Sequence, residues 1–62
     1  MTFTLKSSKN DPVKIYVSED GSYKIVKRPS KSTYTLMGNF SIFNIMGEVI
    51  GEFNTLEEAM NI

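Results

Sequence analysis

Residues 13–28 read Val13-Lys14-Ile15-Tyr16-Val17-Ser18-Glu19-Asp20-Gly21-Ser22-Tyr23-Lys24-Ile25-Val26-Lys27-Arg28, and their reading decides the fold. Val13, Ile15 and Val17 fall on alternate positions, the period-two pattern of a half-buried strand. Asp20-Gly21 then interrupts, and an Asp-Gly pair between two β-patterned runs is a strong hairpin signal, because glycine accepts positive φ without steric cost. Tyr23 to Arg28 forms the returning strand. Pro29 stops it, since proline has no amide to donate to a ladder.

Outward from this hairpin, Lys27 to Ser32 is polar and basic and reads as an exposed loop. From Thr33 the chain is strand-like again, with Tyr34 and Leu36 alternating with threonines. Gly38-Asn39 interrupts it, either as a tight turn between two strands or as a bulge in one long strand, and the turn is the reading adopted. Phe40-Ser41-Ile42-Phe43-Asn44-Ile45-Met46 resumes as a strand that is apolar on both faces. Gly47-Glu48 reads as another turn leading into Val49 to Phe53. Thr2 to Lys6, with Phe3 and Leu5 on one face, adds an edge strand.

After Phe53 the pattern changes. Thr55 followed by Glu58 three residues later is a capping signature, and Glu57 and Glu58 favour the positive end of a helix. Two turns of helix at most follow, which persist only if Leu56, Ala59, Met60 or Ile62 docks on the sheet. The expected fold class is therefore α+β and β-rich: an antiparallel sheet of four to five strands in a hairpin meander, with one short C-terminal helix. Residues 1–62 are expected to form one small domain.

Composition narrows function by exclusion. A chain of 62 residues buries only about 60% of the surface its unfolded form exposes, so little interior remains for a desolvated catalytic group. Cys and His are both absent, which removes disulfides, zinc clusters and the usual acid-base and metal-ligating side chain. Asp11, Glu19 and Asp20 fall in expected loops, and capping accounts for Glu57 and Glu58. The expectation is a non-enzyme with no cofactor and no metal. Neither a signal peptide nor a membrane-spanning stretch is read, so a soluble, cytoplasmic protein is expected.

Charge is balanced overall but not along the chain. All seven basic residues lie between Lys6 and Lys31, four of the seven acids lie at or after Glu48, and Ser32 to Gly47 carries no formal charge. Cross-strand ion pairs would absorb this asymmetry, whereas separate basic and acidic patches would give it a function. Lys24, Lys27, Arg28 and Lys31 lie close in sequence beside Tyr34. They are the candidate partner-binding residues, as a polar rim against a protein or as phosphate contacts with a stacking tyrosine. Phe40, Ile42, Phe43 and Ile45 are the candidate core or self-association residues, because a strand apolar on both faces needs a curled sheet or a second chain to cover it.

The run Ile50-Gly51-Glu52-Phe53-Asn54-Thr55-Leu56-Glu57-Glu58-Ala59 resembles the strand-to-helix passage Gly-x-Phe-x-Thr-x-Glu-Glu-Ala of short bacteriophage and prophage proteins. It is also similar to that of the three-stranded-sheet-plus-helix DNA-binding domains of plant ethylene-response factors and of phage integrase arm-binding modules. The latter read DNA with Arg and Trp on the sheet, whereas this chain has no Trp and Arg28 alone. What the resemblance implies is a small phage-type protein-binding module that inhibits or redirects a host protein, such as a bacterial defence component. It would act as a monomer or homodimer in the host cytoplasm, with DNA binding or nucleic-acid mimicry as the alternative and no membrane partner.

Overall fold

The computed structural model describes residues 2–61. Five strands form one antiparallel sheet in meander order: β1 (Phe3–Leu5), β2 (Lys14–Ser18), β3 (Lys24–Lys27), β4 (Tyr34–Gly38) and β5 (Glu48–Phe53). Helix α1 (Leu56–Met60) follows. The fold is therefore α+β with most of its regular secondary structure in strands.

The β2–β3 hairpin forms where Asp20-Gly21 places it, with Tyr16 opposite Ile25 and Ile15 opposite Val26. Its loop is braced from within. Ser18, 3% exposed, donates its hydroxyl to Asp20 Oδ1 at 2.8 Å and accepts the Tyr23 amide at 3.0 Å. Asp20 Oδ1 also accepts the Ser22 amide at 3.0 Å. That backbone bond, followed by the Ser18 hydroxyl, holds the Asp20 carboxyl below its usual pKa.

Register fixes which face becomes the core. Tyr16 pairs with Ile25, Ile25 with Leu36, and Leu36 with Gly51. Residues directly opposite one another share a face, so this row marks the side on which α1 lies. Ile25, Leu36 and Ala59 are fully buried there, flanked by Phe3, Tyr16, Tyr23, Tyr34, Phe53, Leu56 and Met60. The Val13, Ile15 and Val17 face is the reverse one, and these residues stay half-buried. Tyr34 packs against the core cluster, which removes it as a free stacking platform.

The junction to the helix follows the sequence pattern. Thr55 is the N-cap, and its side-chain oxygen accepts the Glu58 amide at 3.1 Å, a contact worth about 1 kcal/mol. A helix of five residues is too short to persist alone, and burial of its Ala59 against the sheet is what fixes it. A bulge lies between Leu36 and Met37 in the pairing with β5, where Ile50 is the extra residue. It turns Ile50 toward Gly38, where a Cβ would stand 2.5 Å from Ile50 Cδ1 and 2.9 Å from the Tyr23 ring.

One strand expected from sequence is absent. Phe40 to Met46 belongs to the connection between β4 and β5, and Gly38 ends β4 rather than forming the centre of a two-residue hairpin turn. Ile42, Phe43 and Ile45 are 86%, 94% and 75% exposed, so they form no part of the core. Phe40 is half-buried and lies outside the core cluster.

Candidate functional site: the β4–β5 loop

Residues 39–47 carry Asn39-Phe40-Ser41-Ile42-Phe43-Asn44-Ile45-Met46-Gly47. Turn-forming residues recur at every third position, Ser41, Asn44 and Gly47, and each pair closes a turn. Ser41 and Asn44 exchange both backbone hydrogen bonds at 3.1 Å, and the Gly47 amide donates to the Asn44 carbonyl at 3.1 Å. Ser41 Oγ also accepts the Phe43 and Asn44 amides at 3.2 and 2.9 Å, the local side-chain bonding that favours serine in turns.

The consequence is two consecutive four-residue turns with apolar side chains at both apices. Ile42 and Phe43 occupy the first, Ile45 and Met46 the second, and all four are at least 75% exposed. Apices of turns ordinarily carry Gly, Pro, Asn or Asp. Four large apolar groups are displayed there, and Val49 and Ile50, beyond Gly47 and Glu48, are exposed as well; large exposed apolar patches are unusual on a protein surface.

The base of the loop is anchored. Asn39, at φ 56°, starts it, and its side-chain amide donates to Glu48 Oε2 at 3.0 Å. The Asn44 side-chain amide donates to the Asn39 carbonyl at 3.2 Å. Phe40 turns back toward the sheet: its ring lies over Gly47, with Lys24 Nζ 4.7 Å from the ring centroid. Gly21, Lys24, Phe40, Ser41, Ile42 and Ile45 line a shallow open depression beside the apices.

The basic residues singled out from sequence do not form one patch. Lys24 starts β3 and serves the loop, while Lys27 ends β3 and Arg28 and Lys31 lie in the next connection, at the far end of the sheet. Lys27 Nζ donates to the carbonyls of Arg28, at 2.9 Å, and Lys31. Lys31 pairs with Glu52 at 3.3 Å, the one ion pair among the described residues.

No family model, curated protein sequence or solved structure matches this chain significantly. Among the described residues no helix is long and apolar enough to cross a membrane, and no group of three or more His, Cys, Asp and Glu could hold a metal ion.

Proposed function

We propose that this chain is a protein-binding module that inserts the apices of its β4–β5 loop into an apolar groove on another protein. One observation carries the reading: Ile42, Phe43, Ile45 and Met46 project from a hydrogen-bonded loop with at least 75% of their surface in water. Each such side chain contributes about 1.5–3 kcal/mol when fully buried, so four supply about 6–12 kcal/mol gross. Association costs about 4–15 kcal/mol, and a loop already braced by its own hydrogen bonds keeps the ordering part of that cost small. Val49 and Ile50 would extend the buried patch, and Lys24 and Glu48 would form its polar rim.

A module of this size acts by occupying its partner's surface, which inhibits the partner or redirects it. A bacterial defence-system component is the target class that fits the phage-like ending of the sequence. To test the reading, Phe43 is replaced by the photo-crosslinking residue benzoylphenylalanine and the protein is irradiated in bacterial lysate. One dominant adduct, competed by the unmodified protein but not by Phe43→Ser, supports it. An adduct formed equally from a probe at Arg28 would refute the loop as the contact surface, and one at twice the chain's own mass would make a second copy the partner.

A further inference from the structure

Net neutrality conceals how the fold distributes charge. β2 begins at Lys14 and β3 ends at Lys27, and the two are directly opposite one another. The β1–β2 connection adds Lys6 and Lys9 at the same end: the Lys6 amide donates to the Ile15 carbonyl at 2.8 Å, and Lys14 Nζ donates to the Lys9 carbonyl at 2.8 Å. The β3–β4 connection adds Arg28 and Lys31, with Lys27 Nζ folded onto their carbonyls. Six of the seven basic residues thus gather at one end of the sheet. Four acids accompany them there: Asp11, which accepts the Val13 amide, Glu52, which is paired with Lys31, and Glu57 and Glu58 in the first turn of α1 just beyond the end of β5. Glu19, Asp20 and Glu48 lie at the opposite end with Lys24 and the apolar loop.

This arrangement is unfavourable for the fold taken alone. Like charges directly opposite destabilise a sheet. Lys14 and Lys27 are held by backbone carbonyls of their own loops rather than by carboxylates, and each ammonium, with three donors, keeps capacity for a further acceptor. Of the exposed large apolar side chains among the described residues, only Leu5, 40% exposed, lies at this end. Protein interfaces and membrane-surface contacts need apolar anchors, whereas phosphate contacts do not.

We propose that the basic end is a second binding surface, independent of the apolar loop, that holds the phosphate backbone of a nucleic acid without reading its bases. Lys14, Lys27, Arg28 and Lys9 carry the contacts, and Glu52 restrains Lys31.

The test is fluorescence anisotropy with a labelled random-sequence duplex of about 20 base pairs, between about 50 and 200 mM salt. Four phosphate contacts give a log–log slope of about −3.6 and roughly a hundredfold loss of affinity across that range. Lys14→Gln with Lys27→Gln should weaken binding at least about tenfold and reduce the slope by about 2, while melting at or above the wild-type temperature because the opposed charges are gone. Glu52→Gln should tighten binding, and Ile42→Ser with Phe43→Ser should leave it unchanged, which separates this surface from the loop. Absence of saturable binding at the lowest salt, or equal binding by the double-glutamine variant, would overturn the proposal. So would equal affinity for polyglutamate or for anionic phosphatidylserine vesicles.

Discussion

Substituting Gly47 by alanine tests the geometry on which the loop rests. Gly47 sits at φ +71°, and an added Cβ would stand closer than 3.0 Å to three atoms of the Phe40 ring. Left-handed backbone costs an alanine about 1–2 kcal/mol, of which about 0.4–1 kcal/mol is returned because alanine restricts the unfolded chain. Displacing a packed ring costs about 1–3 kcal/mol more, and that displacement also takes the ring from Lys24 Nζ, 4.7 Å from its centroid. The expected loss is about 2–4 kcal/mol. For a domain of this size that lowers the melting temperature by roughly 10–25 °C. Circular-dichroism melts of Gly47→Ala, Phe40→Ala and the double variant form a cycle in which the double variant loses less than the sum, because the steric conflict exists only when both groups are present. A Gly47→Ala variant within about 0.5 kcal/mol of wild type, or strict additivity, would show that Phe40 does not lie over Gly47.

Other elements give simpler expectations. Leu36→Ala removes a fully buried side chain and should cost about 2–5 kcal/mol. That is comparable with the roughly 3–9 kcal/mol a chain of this length has in total, so urea denaturation should find the variant largely unfolded before wild type begins to unfold. Thr55→Ala removes the only side-chain acceptor of the Glu58 amide seen at the cap and should cost about 1 kcal/mol in the same titration. Asp20 has a depressed pKa from the Ser22 amide and the Ser18 hydroxyl. Its contribution is therefore complete above the usual carboxylate value of 3.8 and drains away as pH falls through the depressed one. The stability advantage of wild type over Asp20→Ala should accordingly be present at neutral pH and vanish in strong acid. An advantage that does not change with pH would contradict the hydrogen-bonded carboxylate.

Where local chemistry alone dictates structure, the sequence was legible. Asp20-Gly21 sets the hairpin, and Thr55 with Glu58 sets the helix start, because each is a backbone requirement met by one or two side chains. The β4–β5 loop was misread because its composition is that of a strand. Ile42, Phe43, Ile45 and Met46 are good strand formers, and counting apolar residues on two faces gives them a sheet to belong to. The contrary signal was the spacing of Ser41, Asn44 and Gly47, three residues apart, which closes turns and leaves the apolar residues at the apices.

The face of β2 was harder to read. Ile25 and Val26 are both apolar, so β3 does not choose between its faces, and it is α1, docking through Ala59 onto the Leu36 side of the sheet, that makes the Tyr16 side the covered one. Charge was visible along the chain but not in space. A meander returns every second connection to the same end, so Lys6 and Lys31 become neighbours by end while Lys24, three residues from Lys27, is carried to the other.

The most direct test of the account replaces both residues at the first apex, Ile42→Ser with Phe43→Ser, and measures thermal stability and partner capture on the same preparation. Side chains 86% and 94% exposed should leave stability within about 0.5 kcal/mol of wild type while capture of the partner is lost. A collapse of the melting temperature, as expected for residues of a buried strand at about 2–5 kcal/mol each, or undiminished capture by a fully folded variant, would contradict it.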